Sequence, residues 1–233
     1  MKTLIIALLM ATTAVAQESQ NFPISSVFAS EIPAVQKGQH VLQTHEYLAC
    51  IDPERRQPVW VAYHVEQSDH DTQNVLSRNF STPDRYKDIS LESSDYSANG
   101  WADQGHMIPL ASKSASRHAF EVNWMMVIAI QDSDLNRGPW LKLENRVREL
   151  AEKNDDVEVL AFCLFEGEQR KLKNSDEPHE APSHCGMIIR SESDGVECYL
   201  IPQGCQRSDT PEKFRMELDE LKPKISDVWW KSK

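Results

Sequence analysis

The sequence predicts an α+β fold, a central antiparallel sheet flanked by helices. Two runs rich in β-branched and aromatic residues, 46–51 and 59–65, are joined by a segment whose proline and charges are typical of a hairpin loop. Apolar residues recur at steps of three and four between 140 and 151, which predicts an amphipathic helix. Strands and helices do not alternate regularly along the chain, and this pattern disfavours a parallel doubly wound sheet.

The chain begins with a segment typical of an export signal. Lys2 is followed by an almost wholly apolar run over 3–15, and Ala14-Val15-Ala16 fits a small-x-small cleavage pattern. The run is shorter than the roughly 20 residues of a membrane-spanning helix. We therefore expect a signal peptide at 1–16, cleavage after Ala16, and a secreted or periplasmic protein without a membrane partner.

The remaining residues, 17–233, are predicted to form one domain. Residues 17–42 show no strong periodicity and are expected to form an arm or a sheet edge. The polar stretch 69–100 predicts a long irregular connection, the kind of loop that often carries function.

The second half of the chain predicts regular elements. Gly138-Pro139 suits the start of the helix, because proline needs no amide partner in a first turn. Residues 157–165 predict a core strand, and 186–190 and 196–201 predict shorter strands around a turn. A last helix is expected over 210–221, with Thr210 as its cap and Pro211 as its first residue.

The five cysteines and the charge restrict the class of protein. Export makes disulfide pairing feasible, the odd count leaves one thiol over, and Cys163 lies in an apolar run where a buried thiol is expected. The net charge of −11 becomes −12 once Lys2 is removed, yet residues 101–150 contain six acidic and six basic residues. This distribution suits a hydrolase that releases a polyanionic product better than a tight nucleic-acid binder.

Three residue groups between 78 and 148 are candidates for chemistry. They are Arg78-Asn79-Phe80, Asp103-Gln-Gly-His106, and the stretch from Gln131 through Asn136 to Glu144 and Arg148. Each is weak by itself, since a lone His is usually structural and an Asn before a helix is usually a cap. Their order and spacing together give the stronger indication.

These blocks resemble the DNA/RNA non-specific endonuclease family, which has a ββα-metal core and includes mitochondrial endonuclease G. Asp103-Gln-Gly-His-Met-Ile-Pro-Leu-Ala-Ser112 matches the family's Asp-Arg-Gly-His block except at Gln104. The later pattern Gln-x4-Asn-x-Gly-x-Trp-x2-Leu-Glu is complete from Gln131 to Glu144. The resemblance implies cleavage of DNA and RNA without sequence specificity, assisted by Mg²⁺ or by Mn²⁺ as a substitute.

The resemblance also implies roles for individual residues. His106 would be the general base, and Asn136 the direct Mg²⁺ ligand. Arg78 would contact the scissile phosphate, while Asp103 would shape and polarise the site. On an unbroken helix Glu144 would lie about 12 Å along the axis from Asn136. Either the helix therefore begins or bends at Gly138-Pro139, or Glu144 acts through metal-bound water, the role we favour, with Arg148 orienting it or touching phosphate.

Two departures from the family pattern leave His106 and Asn136 in place, so we expect altered efficiency or substrate preference more than loss of activity. Together with the acidic charge they also suggest an alternative. Gln104, a candidate substrate contact, replaces the usual arginine, and Val127 stands where many members have asparagine. An exported binding protein with an inactive site would explain both changes, and it predicts that magnesium does not switch on plasmid degradation.

Two further alternatives receive less weight. A small disulfide-containing structural domain would require the two-block match to be coincidental. A zinc hydrolase would use His179, His184 and Cys185, whose spacing is not a recognised zinc pattern.

Overall fold

The computed structural model describes residues 35–69, 77–154, 156–173 and 179–229. The expected signal peptide, its cleavage position after Ala16 and most of the arm over 17–42 lie outside these residues. The rest of the arm ends in an edge strand of the main sheet, His40–Gln43.

The main sheet contains seven strands in the order β1-β2-β3-β6-β7-β8-β9, and every pairing is antiparallel. The predicted hairpin is confirmed, because 48–52 and 57–66 pair around a tight turn. The strands are β1 His40–Gln43, β2 Leu48–Asp52, β3 Gln57–Glu66, β6 Asp156–Leu164, β7 His184–Ser191, β8 Gly195–Pro202 and β9 Arg215–Met216.

Helices cover both faces of this sheet. Successive side chains of a strand point to opposite faces, so β3 sends Val61 and Tyr63 to one side and Trp60 and Ala62 to the other. Helix α2, Leu141–Asn154, packs on the first face, and helix α3, Leu218–Trp229, packs on the second through Leu221. This arrangement confirms the predicted α+β class.

A second, two-stranded sheet lies beside the main one and carries the Asp103–His106 block and the start of the Gln131–Glu144 block. Strand β4, Ala102–His106, pairs antiparallel with β5, Ile128–Asp132, and the chain continues through the short helix α1, Ser133–Leu135, into α2. Two strands followed by a helix form the expected ββα unit. Neither strand was predicted from local pattern, since β4 is polar and β5 belongs to a continuous apolar run.

The predicted final helix over 210–221 is wrong in its bounds. Thr210 does precede a 3₁₀ turn that begins with Pro211, but the turn ends at Phe214. Residues 215–216 then pair with β8 as the edge strand β9, which takes their backbone out of a helical path. Helix α3 begins only at Leu218.

Each of the five cysteines is a free thiol in the structure, so the expected pairing finds no support there. Cys163 is buried, as its apolar run predicts, and it faces Cys185 across β6 and β7. None of the helices in the described ranges combines the length and the apolar character that a membrane crossing requires.

Candidate active site

The two sequence blocks meet because β4 and β5 pair. Asp103 lies opposite Gln131, and His106 lies opposite Ile128. The buried side chain of Gln131 passes directly over Gly105, where an added Cβ would lie 2.3 Å from its Oε1 atom. Gly105 therefore leaves the space that the side chain of Gln131 occupies, and the packing of one residue depends on the other.

The helix bends between Asn136 and Glu144, the two residues that an unbroken helix would hold about 12 Å apart along its axis. Residues 136–140 form a π-helical turn, and Gly138 has non-helical angles of φ −111° and ψ −112°. Pro139 also lies in this turn, and both π-turns and prolines are common causes of kinks. The indole Nε1 of the buried Trp140 donates to the carbonyl of His106 at 3.1 Å, which fixes the bend against β4. The alternative of a helix bent at Gly138-Pro139 is therefore the observed one.

All seven predicted site residues line one cavity of about 530 Å³. Strand β4 supplies three of them, the bent helix supplies three more, and Arg78 comes from the irregular connection. The seven residues are Arg78, Asp103, Gln104, His106, Asn136, Glu144 and Arg148.

His106 is held as a neutral imidazole with a defined tautomer. The amide nitrogen of Asn123 donates to the carbonyl of Ser77, so its Oδ1 atom faces His106 Nε2 at 2.9 Å and accepts a hydrogen bond. This places the ring proton on Nε2 and leaves Nδ1 as the basic nitrogen. Burial lowers the pKa of His106 to about 4; Asn123 opposes the shift and the charge of Arg78 adds to it.

Asp103 organises its neighbours through hydrogen bonds. Arg137 binds both carboxylate oxygens, at 2.8 and 2.7 Å, and the amide nitrogen of Asn136 donates to Oδ2 at 3.0 Å. Burial alone would raise the pKa of Asp103, but these bonds hold it below its usual value. Because a carboxylate only accepts, Asn136 must turn its nitrogen towards Asp103, which leaves its carbonyl oxygen for another partner.

Glu144 lies in the same cavity as a partly desolvated acid. Burial raises its pKa to about 7, although the guanidinium groups of Arg148 and Arg78 act in the opposite direction. Arg148 itself is held by Ser112 Oγ at 3.3 Å and by the side chain of Asn145. The carboxyl group can therefore change protonation near neutral pH when a cation approaches.

Three residues of the site were not predicted from the sequence. Asn123 orients His106, Arg137 binds Asp103, and Arg207 lines the cavity from a distant loop. Arg137 directly follows Asn136 in the motif, so the sequence could have indicated a positive charge at the site. It lines the same cavity as Gln104. Gln104 also lines the cavity, where its Nε2 donates to Ser93 Oγ at 2.7 Å.

The residues of the zinc alternative do not form a metal cluster within the described ranges. His184 Nδ1 contacts Ser183 Oγ at 3.1 Å, and His179 is buried. The group of three metal-ligating side chains that the described residues do bring together is a different one: His45, His118 and Glu121.

Comparison with known proteins agrees with the geometry. The family model described as DNA/RNA non-specific endonuclease matches residues 25–226. The curated protein named Nuclease from Serratia marcescens is 30% identical over 182 residues, 73% of this chain and 67% of that protein. The mitochondrial Nuclease EXOG of Xenopus laevis is 27% identical over 207 residues, so the chain spans 56% of its length.

A solved structure shares the fold. It is titled as the EndoG/EndoGI complex and the mechanism of EndoG inhibition, and it superposes with a TM-score of 0.68 at 20% identity. The match covers 82% of this chain and 84% of the other.

Proposed function

We propose that this chain, which belongs to the DNA/RNA non-specific endonuclease family, is a Mg²⁺-dependent phosphodiesterase that cuts DNA and RNA without sequence preference. The observation that carries the proposal is the shared cavity, in which a neutral His106 lies with Asn136, Glu144 and four arginines. Phosphodiester hydrolysis needs an activated water, neutralisation of transition-state charge and help for the leaving oxygen.

His106 is the proposed general base. Its Nδ1 atom is unprotonated at neutral pH, so it can accept the proton of an attacking water without first losing one. A pKa of about 4 makes the free imidazole a weak base, but the imidazolium gains a nearby counter-charge when the anionic substrate occupies the cavity. Asn123 maintains the ring orientation during this transfer.

The oxygen donors of the cavity fit a hard divalent cation. Asn136 presents a carboxamide oxygen because Asp103 holds its nitrogen, and Glu144 provides a carboxyl group that ionises near pH 7. Few protein ligands and several waters are the usual environment of Mg²⁺, and Mn²⁺ accepts the same oxygen donors. When bound, the ion supplies positive charge at the leaving 3′ oxygen.

Arginines are the proposed contacts to the substrate. Arg78 and Arg148 line the cavity, and a guanidinium can bind two phosphate oxygens at once. Contacts of this kind are made to the nucleic-acid backbone, which is common to all sequences, and they would allow cleavage without base preference. The charges of both arginines also act on Glu144, which favours its ionised form.

The proposal includes export. With the signal peptide removed after Ala16, the nuclease would act on DNA and RNA in the periplasm or outside the cell, where free Mg²⁺ is accessible. N-terminal sequencing of the mature protein from its native host tests the cleavage position.

The deciding experiment is degradation of supercoiled plasmid and of RNA by residues 17–233, with Mg²⁺ and with chelator. We expect nicking and RNA loss with Mg²⁺ only, and no cleavage by His106→Ala. His64→Ala, which changes a histidine of β3 outside the cavity, is the matched control and should cut normally. Nucleic-acid binding without cleavage by the wild type would favour the binding-protein alternative, and full activity of His106→Ala would exclude the assigned base.

A further inference from the structure

A second group of metal-ligating side chains lies outside the nuclease cavity. His45 is in the turn between β1 and β2, whereas His118 and Glu121 are at the 3₁₀ turn over 119–123. One potential ligand atom from each side chain lies within 4.8 Å of the other two. None of the three residues lines the cavity described above.

From this geometry we infer that His45, His118 and Glu121 form a zinc site. Two imidazole nitrogens and one carboxylate oxygen are the ligand types that Zn²⁺ takes, and three protein ligands plus water complete a tetrahedron. Mg²⁺ prefers an all-oxygen environment, so the two sites of the protein differ in chemistry.

The distances are close to those that zinc requires. Bonds of about 2.0–2.1 Å in a tetrahedron place ligand atoms about 3.4 Å apart. Glu121 Oε1 lies 2.7 Å from His45 Nδ1 and 3.9 Å from His118 Nδ1, so both separations are within about 0.7 Å of that value.

Glu121 is held in position to bind the metal ion. Its side chain is only 5% exposed, and its Oε2 atom accepts a hydrogen bond from the backbone amide of His45 at 3.0 Å. That bond anchors one oxygen and leaves Oε1 directed at the two imidazoles. Because folding has already removed the Glu121 carboxylate from water, metal binding adds little to the desolvation cost of this group.

Two local changes accompany binding. The rings of His45 and His118 are stacked at 3.7 Å with an interplanar angle of 4°, and they must tilt because ligand lone pairs lie in the ring planes. The side chain of His45 is 62% exposed, so its ring has room to tilt while Nδ1 stays near Glu121. Arg117 donates to His118 Nε2 at 3.0 Å and must turn away, since each ligating ring binds through Nδ1 and keeps its proton on Nε2. Arg117 is exposed and can move into solvent.

The site would connect two segments that are far apart in sequence. Residues 45 and 121 belong to different turns, and the second turn ends at Asn123, the residue that orients His106. Zinc would therefore stabilise the folded chain at a place adjoining the nuclease cavity but distinct from it.

The test is zinc binding by the metal-stripped chain 17–233 in excess Mg²⁺, which would fill the nuclease cavity under the proposed function. Titration calorimetry and the zinc content after desalting should give one Zn²⁺ per chain, and Zn²⁺ should raise the melting temperature. His45→Ala should weaken binding by at least about tenfold, because loss of even an outer partner costs about 10–100-fold. Glu121→Gln should have a similar effect.

Two controls separate this site from the nuclease centre. His40→Ala removes an exposed histidine of β1, and His106→Ala removes the proposed base; both should bind Zn²⁺ like the wild type. The assignment is overturned if the wild type retains no zinc, if His45→Ala retains it at wild-type affinity, or if either control loses it. A protein that binds zinc in this way but fails to cut plasmid would keep the zinc site and contradict only the proposed nuclease.

Discussion

Glu144→Gln tests whether the ionised carboxylate of Glu144, buried in the cavity to bind metal, destabilises the fold when no metal is bound. Burial raises the pKa of Glu144 from 4.5 to about 7. An acid with a raised pKa destabilises the fold only when it ionises, so the cost is absent below pH 4.5, grows up to pH 7 and is complete above it. Glutamine has the shape of the neutral acid and cannot ionise.

The size of the effect follows from the pKa. The difference between 4.5 and about 7 corresponds to about 3 kcal/mol, and the partial exposure of Glu144 to the cavity reduces it to about 2 kcal/mol. In chelator at pH 8, we expect Glu144→Gln to unfold in urea with a free energy about 2 kcal/mol above that of the wild type. At pH 4.5 the two proteins should differ by less than about 0.5 kcal/mol.

The same substitution should remove the response to magnesium. A pKa of about 7 leaves about a tenth of Glu144 ionised at pH 6 and about nine tenths at pH 8, so wild-type Mg²⁺ affinity should rise about tenfold between them. Glu144→Gln should bind Mg²⁺ weakly at both pH values and lose plasmid cleavage. Glu149→Gln, on the exposed side of α2, is the control and should behave like the wild type. Equal urea stability of wild type and Glu144→Gln at pH 8 would refute the reasoning.

Three other substitutions test separate parts of the site. Asn136→Ala should raise the Mg²⁺ concentration needed for half-maximal cleavage by about tenfold, and an unchanged titration would remove Asn136 as a ligand. Asn123→Asp places a carboxylate 2.9 Å from His106 Nε2, so the acid limb of the pH profile of kcat/KM should move upwards by about one pH unit; an unmoved limb would contradict the role of His106. Gly105→Ala forces a Cβ into Gln131 and should cost about 1–3 kcal/mol in urea unfolding, whereas Gly100→Ala meets open space and should cost less; equal effects would contradict the close contact.

The elements of the main sheet could be predicted because their burial follows local pattern. The runs 59–65 and 157–165 are apolar except for His64 and Glu158, since helices cover both faces of the sheet. The spacing of Leu143, Val147 and Leu150 marks the buried face of α2. Strand β4 could not be found in this way. Its polar residues face the cavity. It is extended because it pairs with β5, and the paired residues, from His106 with Ile128 to Ala102 with Asp132, are 22 to 30 positions apart in the sequence.

The sequence indicated that the helix could bend at Gly138-Pro139, but it did not decide between a bent and an unbroken helix. An unbroken helix would have separated Asn136 from Glu144, and only the Gly138 angles and the Trp140 bond to His106 bring the two to one cavity. An added Cβ at Gly138 would lie 2.7 Å from the carbonyl of Arg207. Glycine at this position therefore allows a distant loop to close over the bend, which no local pattern could predict.

The charge of the cavity differs from that of the chain, and the difference arises from tertiary packing. The chain has a net charge of −11, and the window 101–150 is neutral in sequence. Arg78 and Arg207 join Arg137 and Arg148 at the cavity wall, opposite only Asp103 and Glu144 among acidic lining residues of the described chain. The wall is therefore positive although Gln104 has replaced the arginine of the family motif. A positive wall inside an acidic molecule attracts phosphate at short range and repels the released polyanion at longer range, a combination that favours turnover over retention.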